Sequence, residues 1–137
     1  MRLWFTLIAG LIWIGLSTSA SAHTRSQSFS SWEIKGAQAE FSFAVDARRI
    51  TQLASLYPET DKLPELLSLH LGETISAVQD DQPCALRLGG VSGTLQGVFR
   101  VNGSVSCSQA IEAQAVTVQV AAFFKVSPTH IHVAHLA

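Results

Sequence analysis

The chain has 137 residues, of which 47% are hydrophobic and 14% charged, and its formal net charge is −1. This length suits one domain of ordinary size. The near-neutral balance carries no footprint of a protein that binds nucleic acid or an anionic membrane, since both need clustered basic charge. The apolar content also excludes a disordered chain.

The N-terminus has the organisation of an export signal. Arg2 supplies a positive charge, an apolar run of about 14 residues follows, and Ala20-Ser21-Ala22 matches the small-x-small pattern of a cleavage site. The run is shorter than the roughly 20 residues of a membrane-spanning helix. The sequence therefore predicts a signal peptide over residues 1–22 and a periplasmic domain over residues 23–137, with no later segment long enough to span a bilayer.

The two cysteines, Cys84 and Cys107, are interpreted in the light of that export. In an oxidising compartment such a pair favours one structural disulfide, here closing a loop of about 24 residues. A redox-active pair is more often C-x-x-C, and a zinc site needs more ligands nearby. We expect a disulfide between Cys84 and Cys107.

An alternating pattern early in the mature chain predicts a β-hairpin. From Ala37 to Val45 the odd positions are apolar and most even positions are polar, which is the period of a half-buried strand. Trp32-Glu33-Ile34 precedes this strand and is expected to form the first arm, with Lys35-Gly36 between the two arms.

The period then changes to that of amphipathic helices. A short helix is expected over Ala47–Leu56, ended by Tyr57-Pro58. A longer one is predicted by the spacing of a single stripe. That stripe consists of Leu63, Leu66, Leu67, His70, Leu71, Thr74, Ile75 and Val78. Pro64 suits its first turn, and Gly72 is a position where it could break.

Strands return after Cys84. Alternation continues through Asn102-Gly103 and favours one long strand over Gly97–Cys107, whereas Asn-Gly is also typical of a two-residue hairpin turn. The other predicted strands are Cys84–Leu88 ended by Gly89-Gly90, Val116–Val120 running on to Val126, and Ile131–Leu136. The expected fold is mainly β, an antiparallel β-sandwich-like domain with one or two helices inserted after the first hairpin.

His130 and His132 are the strongest candidates for metal ligands. On a strand they point to the same face with Cα atoms about 6.6 Å apart, and two imidazoles at that spacing can share one Zn, Ni or Cu ion. His135 has the opposite parity and would join only if the strand bends or ends. The alternative is that all three are surface histidines beside a turn. His70 is expected to pack in the core.

His23 offers a second route to a metal. As the first residue of a processed chain it combines an α-amine with an imidazole, and the two together chelate Cu(II) or Ni(II). His130 or His132 would complete the site if the two ends of the domain lie close together, as the ends of domains often do. The alternative is an N-terminal tail that takes part in no site.

No motif predicts an enzyme. The sequence lacks a G-x-S-x-G elbow, a P-loop, a dinucleotide fingerprint and an H-E-x-x-H motif. Its paired carboxylates, such as Asp80-Asp81, fall in polar stretches that are typical of solvated loops. Arg48-Arg49 is expected to be the solvated start of a helix rather than a contact for an anionic partner.

Several short segments of the mature chain carry a family resemblance. They are Ala22-His23-Thr24-Arg25-Ser26 and the run on to Ser30-Ser31-Trp32, Phe43-Ala-Val-Asp-Ala-Arg-Arg49, the pair Cys84 and Cys107, and Phe123-Phe124-Lys-Val-Ser-Pro-Thr-His-Ile-His132. Together they cover the mature chain, which resembles the exported N-terminal domain of HupE/UreJ-like membrane proteins. In such proteins a bundle of membrane helices follows this domain, and the family name links that bundle to hydrogenase and urease accessory functions and to nickel uptake. No transport function is carried over to these residues.

The sequence thus predicts a non-enzymatic extracytoplasmic accessory domain, with His23, His130 and His132 as the ligands of a nickel, copper or zinc ion. The alternative function is a structural or interaction domain that docks a membrane or periplasmic partner without a metal. No nucleic-acid partner is expected.

Overall fold

The computed structural model describes residues 26–137. It confirms a mainly β fold with two antiparallel-rich sheets and helices after the first hairpin. The strands are β1 Gln27–Lys35, β2 Gln38–Asp46, β3 Ile75–Gln79, β4 Gln82–Pro83, β5 Ala85–Gly93, β6 Val98–Ser106, β7 Val116–Val120 and β8 Ile131–Leu136; the helices are α1 Ala47–Ile50 and α2 Leu63–Thr74, with a short 3-10 helix at Thr51–Ser55. The predicted signal peptide and His23 lie outside the described residues.

The two sheets have different sizes and neither closes on itself. The larger has the order β5-β6-β2-β1-β8 and the smaller the order β4-β3-β7. All neighbouring strands are antiparallel except β1 and β8, which run parallel. From the strand order, β8 is an edge of the larger sheet and β7 an edge of the smaller one.

The first hairpin forms as predicted, with a longer first arm. Gly36 adopts a φ of +62° in the turn, a conformation that suits glycine. Beyond it, the predicted odd positions of β2 face inward, so that Phe41 and Phe43 are buried. The chain then leaves the sheet at Asp46, whose carboxylate accepts a hydrogen bond of 2.9 Å from the amide of Arg48 and so caps α1.

The long-strand interpretation of Asn102-Gly103 is confirmed, because β6 runs unbroken through this dipeptide. Gly103 serves close packing here rather than a turn. A Cβ at this position would overlap the ring of Phe41 and would lie 2.8 Å from the carbonyl oxygen of Arg87. The alternation that continues through the dipeptide was therefore the better guide than the turn preference of Asn-Gly.

The end of the long helix was predicted too late. The stripe was expected to reach Val78, whereas α2 ends at Thr74 and β3 begins at Ile75. Residues Ile75 to Gln79 pair instead with the valine-rich β7, and β-branched side chains favour this pleated arrangement.

Two strand boundaries were also wrong. Gly89-Gly90 does not end β5, because an irregularity between Leu88 and Val91 absorbs the two glycines and the pairing with β6 continues to Gly93. The strand at Val116–Val120 does not run on to Val126, because the chain turns after Val120. Phe123 takes a φ of +68° in that turn.

One apolar core joins the sheets and the helices. Side chains of β1, β2 and β6 pack there against α1, the 3-10 helix, α2, β3 and Phe123. The largest fully buried apolar residues are Phe43, Ile50, Leu53, Leu66, Leu67, Leu71, Val101, Val105 and Phe123. This arrangement leaves the opposite face of the larger sheet, here named the outer face, open to solvent.

Candidate functional site

An alternating stack of serine and histidine side chains lies on the inner side of the β1–β8 pair. Ser26 Oγ lies 2.6 Å from His130 Nδ1, and Ser28 Oγ lies 2.7 Å from His130 Nε2. Ser28 Oγ also lies 2.8 Å from His132 Nδ1, and Ser30 Oγ lies 2.8 Å from His132 Nε2. The parallel register sets Ser28 beside His132, and inward positions recur at every second residue. We name these five residues the serine–histidine ladder.

Trp32 gives the ladder a direction. Its indole Nε1 donates a hydrogen bond of 2.8 Å to Ser30 Oγ, and an indole N–H can only donate. Ser30 then donates its own proton to His132 Nε2, which places the proton of that ring on Nδ1, from where it is donated to Ser28. The same step repeats at His130. We assign both rings as Nδ1–H tautomers on this basis: Ser30 Oγ already accepts the indole proton, so its own proton is directed to His132 Nε2.

Burial keeps the ladder neutral. His130 is 4% exposed and Ser28 is fully buried. Burial is the main cause that lowers the pKa of His130 to about 4, and the nearby groups His132 and Arg49 act in the same direction. Burial also lowers the pKa of His132. At neutral pH both imidazoles are uncharged, and each ring nitrogen has a hydroxyl partner.

The sequence predicted a metal at these histidines, and the structure does bring His130 and His132 to one face. However, all four ring nitrogens already have serine partners, so a metal ligated by either ring would displace a hydroxyl. His135 is exposed and takes no part in the ladder. Among residues 26–137, no group of three or more His, Cys, Asp or Glu side chains is arranged to hold a metal ion. The described residues do not offer an open metal site, and His23 lies outside them.

A hydroxyl beside an imidazole is also the arrangement of a nucleophile and its base. Ser28, however, has no exposed surface, and the ring of Phe43 is stacked on that of His132 with centroids 5.4 Å apart. A substrate carbonyl would reach Ser28 only if the β1–β8 pair opened. The arrangement is suited instead to fixing the register of these two parallel strands, since a shift by one residue would remove every serine from its histidine.

A second buried histidine stands on α2. The backbone amide of Phe123 donates a hydrogen bond of 2.9 Å to His70 Nε2, which places the ring proton on Nδ1. His70 Nδ1 lies 3.2 Å from Tyr57 Oη, and the Tyr57 hydroxyl donates to Glu73 Oε2 over 2.8 Å. We name these four residues the His70 cluster. The prediction that His70 belongs to the core is confirmed, since it is buried.

Unlike the ladder, the His70 cluster contains a carboxylate, that of Glu73. Burial lowers the pKa of His70, while the carboxylate of Glu73 raises it in part. Burial and the hydrogen bond to Glu73 raise the pKa of Tyr57 to about 12. The ring of Phe123 joins the two groups, with its centroid 5.2 Å from that of His70 and 5.1 Å from that of His130.

Sequence reasoning missed the serines. Ser26, Ser28 and Ser30 alternate with the period of a strand and lead to Trp32, so the pattern marks one face of β1. Polar side chains on an inward face need hydrogen-bond partners in the core. The alternating serines could therefore have indicated that buried partners, such as histidines, lie opposite them. The interpretation of His130 as a surface residue beside a turn is wrong for the same reason, because its ring is the partner that these serines require.

The predicted disulfide is confirmed. Cys84 and Cys107 are bonded in the structure, with Cα atoms 4.4 Å apart. They lie just before β5 and just after β6, next to the register pair Ala85 and Ser106. The bridge thus ties the end of this antiparallel pair.

An apolar cleft opens between the edges of the two sheets. It has a volume of about 250 Å³, and we name it the β7–β8 cleft. Trp32 and Ile34 of β1 and Leu136 of β8 line one wall, while the other is formed by Ile111 and the valines of β7. Leu136 is 57% exposed although it has the parity of the inner face. Both bordering strands are sheet edges.

No helix within residues 26–137 is long and apolar enough to cross a membrane. Comparison of the chain with protein-family models and with curated proteins finds no match.

Proposed function

We propose that this chain is a non-enzymatic extracytoplasmic accessory domain that binds an extended apolar segment of a protein partner in its β7–β8 cleft. The observation that carries the proposal is an apolar cleft bordered by two strands that are both sheet edges. The Cys84–Cys107 disulfide supports a location in an oxidising compartment. The resemblance to HupE/UreJ-like proteins points to a membrane protein as the source of the segment.

The chemistry of the cleft selects this class of partner. An edge strand presents backbone N–H and C=O groups on its outer side, and an added strand satisfies them while its alternate side chains enter a neighbouring pocket. Leu136 and Val118 flank the cleft and are 57% and 37% exposed, respectively. The lining is almost entirely apolar, with His135 as its titratable side chain. A charged ligand would therefore find no complement there.

Site-specific photo-crosslinking in cells that export the chain tests the proposal. A photoreactive phenylalanine analogue replaces Leu136 in one variant and Leu95 in the control. Leu95 is the matched control because it is a fully exposed leucine in the β5–β6 connection, away from the cleft. We expect a membrane-protein adduct from position 136 and none from position 95. Equal labelling at both positions would refute the proposal, and so would an adduct of two copies of this chain.

The non-enzymatic part of the proposal rests on the burial of Ser28 between its two histidines. The metal-free part rests on the hydroxyl partners of all four ring nitrogens. Both features support a structural role for the serine–histidine ladder.

Calorimetric titration of a chain that begins at His23 separates this function from the metal-binding one. With Cu(II), Ni(II) or Zn(II) we expect no binding tighter than about 100 μM that depends on His132. Sub-micromolar binding at one ion per chain, lost in His132→Ala, would overturn the metal-free proposal. His23→Ala distinguishes a site at the N-terminus alone, which that variant removes and His132→Ala leaves intact.

A further inference from the structure

Arginines from two distant parts of the chain meet at one end of the outer face. Arg48 and Arg49 belong to α1, and Arg100 belongs to β6. Together with Phe29, they line a groove of about 380 Å³. Ala44 forms its floor because it is paired with Phe29 on one side and with Arg100 on the other. A small side chain between two large ones leaves a depression in the surface of the sheet here. We name this site the arginine groove.

The groove is positively charged. Its one carboxylate, Asp46, accepts a hydrogen bond of 3.0 Å from Arg48 Nε, and this contact lowers the pKa of Asp46 and keeps it ionised. Arg100 is exposed, and none of the ion pairs formed within residues 26–137 involves it. Arg48 and Arg100 outnumber the one carboxylate, so the groove has a net positive charge without counting Arg49. The near-neutral composition of the chain hides this local excess.

The outer face is also polarised along its strands. Its carboxylates Glu33 and Glu40 are register partners near the other end of the β1–β2 pair, where both contact Lys35. Glu40 lies four residues from Ala44 on β2, a separation of about 13 Å. An anionic surface placed against the arginine groove would therefore not meet these carboxylates.

Apolar side chains adjoin the groove on the same face. Phe29 is 49% exposed, and its register partner Val133 on β8 is 47% exposed. An aromatic and an aliphatic side chain next to a cluster of arginines is the composition of surfaces that settle on anionic lipid. The guanidinium groups bind phosphates in that setting, and the apolar groups enter the headgroup boundary.

We propose that the arginine groove and the adjoining pair Phe29 and Val133 dock this domain on the surface of an anionic phospholipid bilayer. The surface lies on the outer face of the larger sheet, whereas the β7–β8 cleft opens between the sheets. A domain held on the bilayer through this face keeps the cleft available to a membrane protein. The docking surface is independent of the function proposed for the cleft.

Flotation with lipid vesicles tests this docking. Residues 23–137, which include every strand and helix described above, are mixed with vesicles of phosphatidylcholine alone or of equal parts phosphatidylcholine and phosphatidylglycerol. We expect binding only to the vesicles with phosphatidylglycerol, and weaker binding as salt rises. Arg100→Gln should reduce the vesicle partition coefficient about fivefold. Phe29→Ser should reduce it by a similar factor, about fivefold, through lost apolar contact.

Two matched controls keep the result specific. Arg87→Gln removes another exposed arginine of the larger sheet, outside the groove, and should leave binding unchanged. Leu95→Ser removes an exposed apolar side chain in the β5–β6 connection and should also have no effect. Thermal unfolding of each variant verifies that the fold is retained, as substitutions at exposed positions should allow.

Three outcomes would overturn the proposal. The first is equal binding to both kinds of vesicle, and the second is an equal loss in Arg100→Gln and Arg87→Gln. The third is binding of inorganic phosphate that depends on Arg100 without any binding of vesicles, which would identify a small-anion site. None of these outcomes bears on the photo-crosslinking at Leu136.

Discussion

The serine–histidine ladder and the His70 cluster bury imidazoles in the same core with different partners. In the ladder, His130 and His132 are bonded to neutral hydroxyls alone. His70 is bonded to a backbone amide and, through Tyr57, connected to the carboxylate of Glu73, which is exposed. A proton added to the ladder therefore meets no negative charge, whereas one added to His70 lies near a carboxylate. The comparison shows that hydrogen-bond satisfaction and charge compensation are separate requirements of a buried histidine.

The largest loss of stability is expected from removing the hydroxyl at the centre of the ladder. Ser28→Ala leaves His130 Nε2 and His132 Nδ1 without partners in the core, which should lower the free energy of unfolding by about 3 kcal/mol. Ser31→Ala is the matched control, because Ser31 lies on the same strand with the opposite parity and should change stability by less than about 0.5 kcal/mol. Urea unfolding measures both. Similar losses in the two variants would contradict a structural role for the ladder.

Acid should weaken the fold through the ladder. The pKa of His130 is about 4 in the folded chain and about 6.5 in an unfolded one. The unfolded state therefore binds more protons between these values, so stability is full above about pH 6.5 and declines as the pH falls toward 4. The loss from this residue is about 3 kcal/mol, and the lowered pKa of His132 and of His70 acts in the same direction.

Urea unfolding at a series of pH values measures this decline, and the NMR shifts of the His130 ring follow its protonation. A constant stability between pH 6.5 and pH 4.5, or a ring that titrates near 6.5 in the folded chain, would be inconsistent with a buried neutral ladder.

A smaller loss is expected in the His70 cluster. Tyr57→Phe removes the hydroxyl between His70 and Glu73 and should lower the free energy of unfolding by about 1 kcal/mol. The cost is limited because Glu73 is exposed and can turn to water, and because His70 keeps the amide of Phe123. The same urea assay compares this variant with Ser28→Ala. A loss as large as that of Ser28→Ala would remove the distinction between the two clusters.

The last prediction concerns which ring nitrogen of His130 and of His132 carries the proton, and it involves no change in stability. Nitrogen-15 NMR at neutral pH should show the Nδ1–H tautomer at both His130 and His132, because the indole of Trp32 sets the direction of the ladder. In Trp32→Phe this direction is no longer imposed, and both tautomers should be populated. An Nε2–H proton at either ring of the unsubstituted protein would show that the ladder runs in the other sense.

Local patterns predicted much of the fold. Alternation located the second arm of the first hairpin and the unbroken β6, and the parity of His130 and His132 placed them on one face. These features are set by side-chain period and neighbouring residues, which a sequence displays directly. The ends of α2 and of β7 depend instead on contacts between distant segments. Ile75 pairs with Val120, and the turn at Phe123 is bonded to His70.

The candidate sites show the same division. The parallel pairing of β1 with β8 brings the serines to the histidine nitrogens. The periodicity of a single segment does not indicate which distant strand it pairs with. The arginine groove likewise depends on the register of β2 with β6, which brings Arg100 close to α1. Reasoning from net charge could not find it, because the acidic residues that balance the total lie elsewhere on the molecule.

The parallel pairing of β1 with β8 also constrains the order of folding. Ser26 and His130 are separated by 104 positions in the chain, so their contact closes a loop that contains nearly the whole domain. A chain that emerges N-terminus first holds the serines of β1 in water until β8 arrives. Contacts of such long range form slowly, so the sheet gains its last strand late. A ribosome-bound chain that still lacks β8 should therefore be sensitive to proteases at β1.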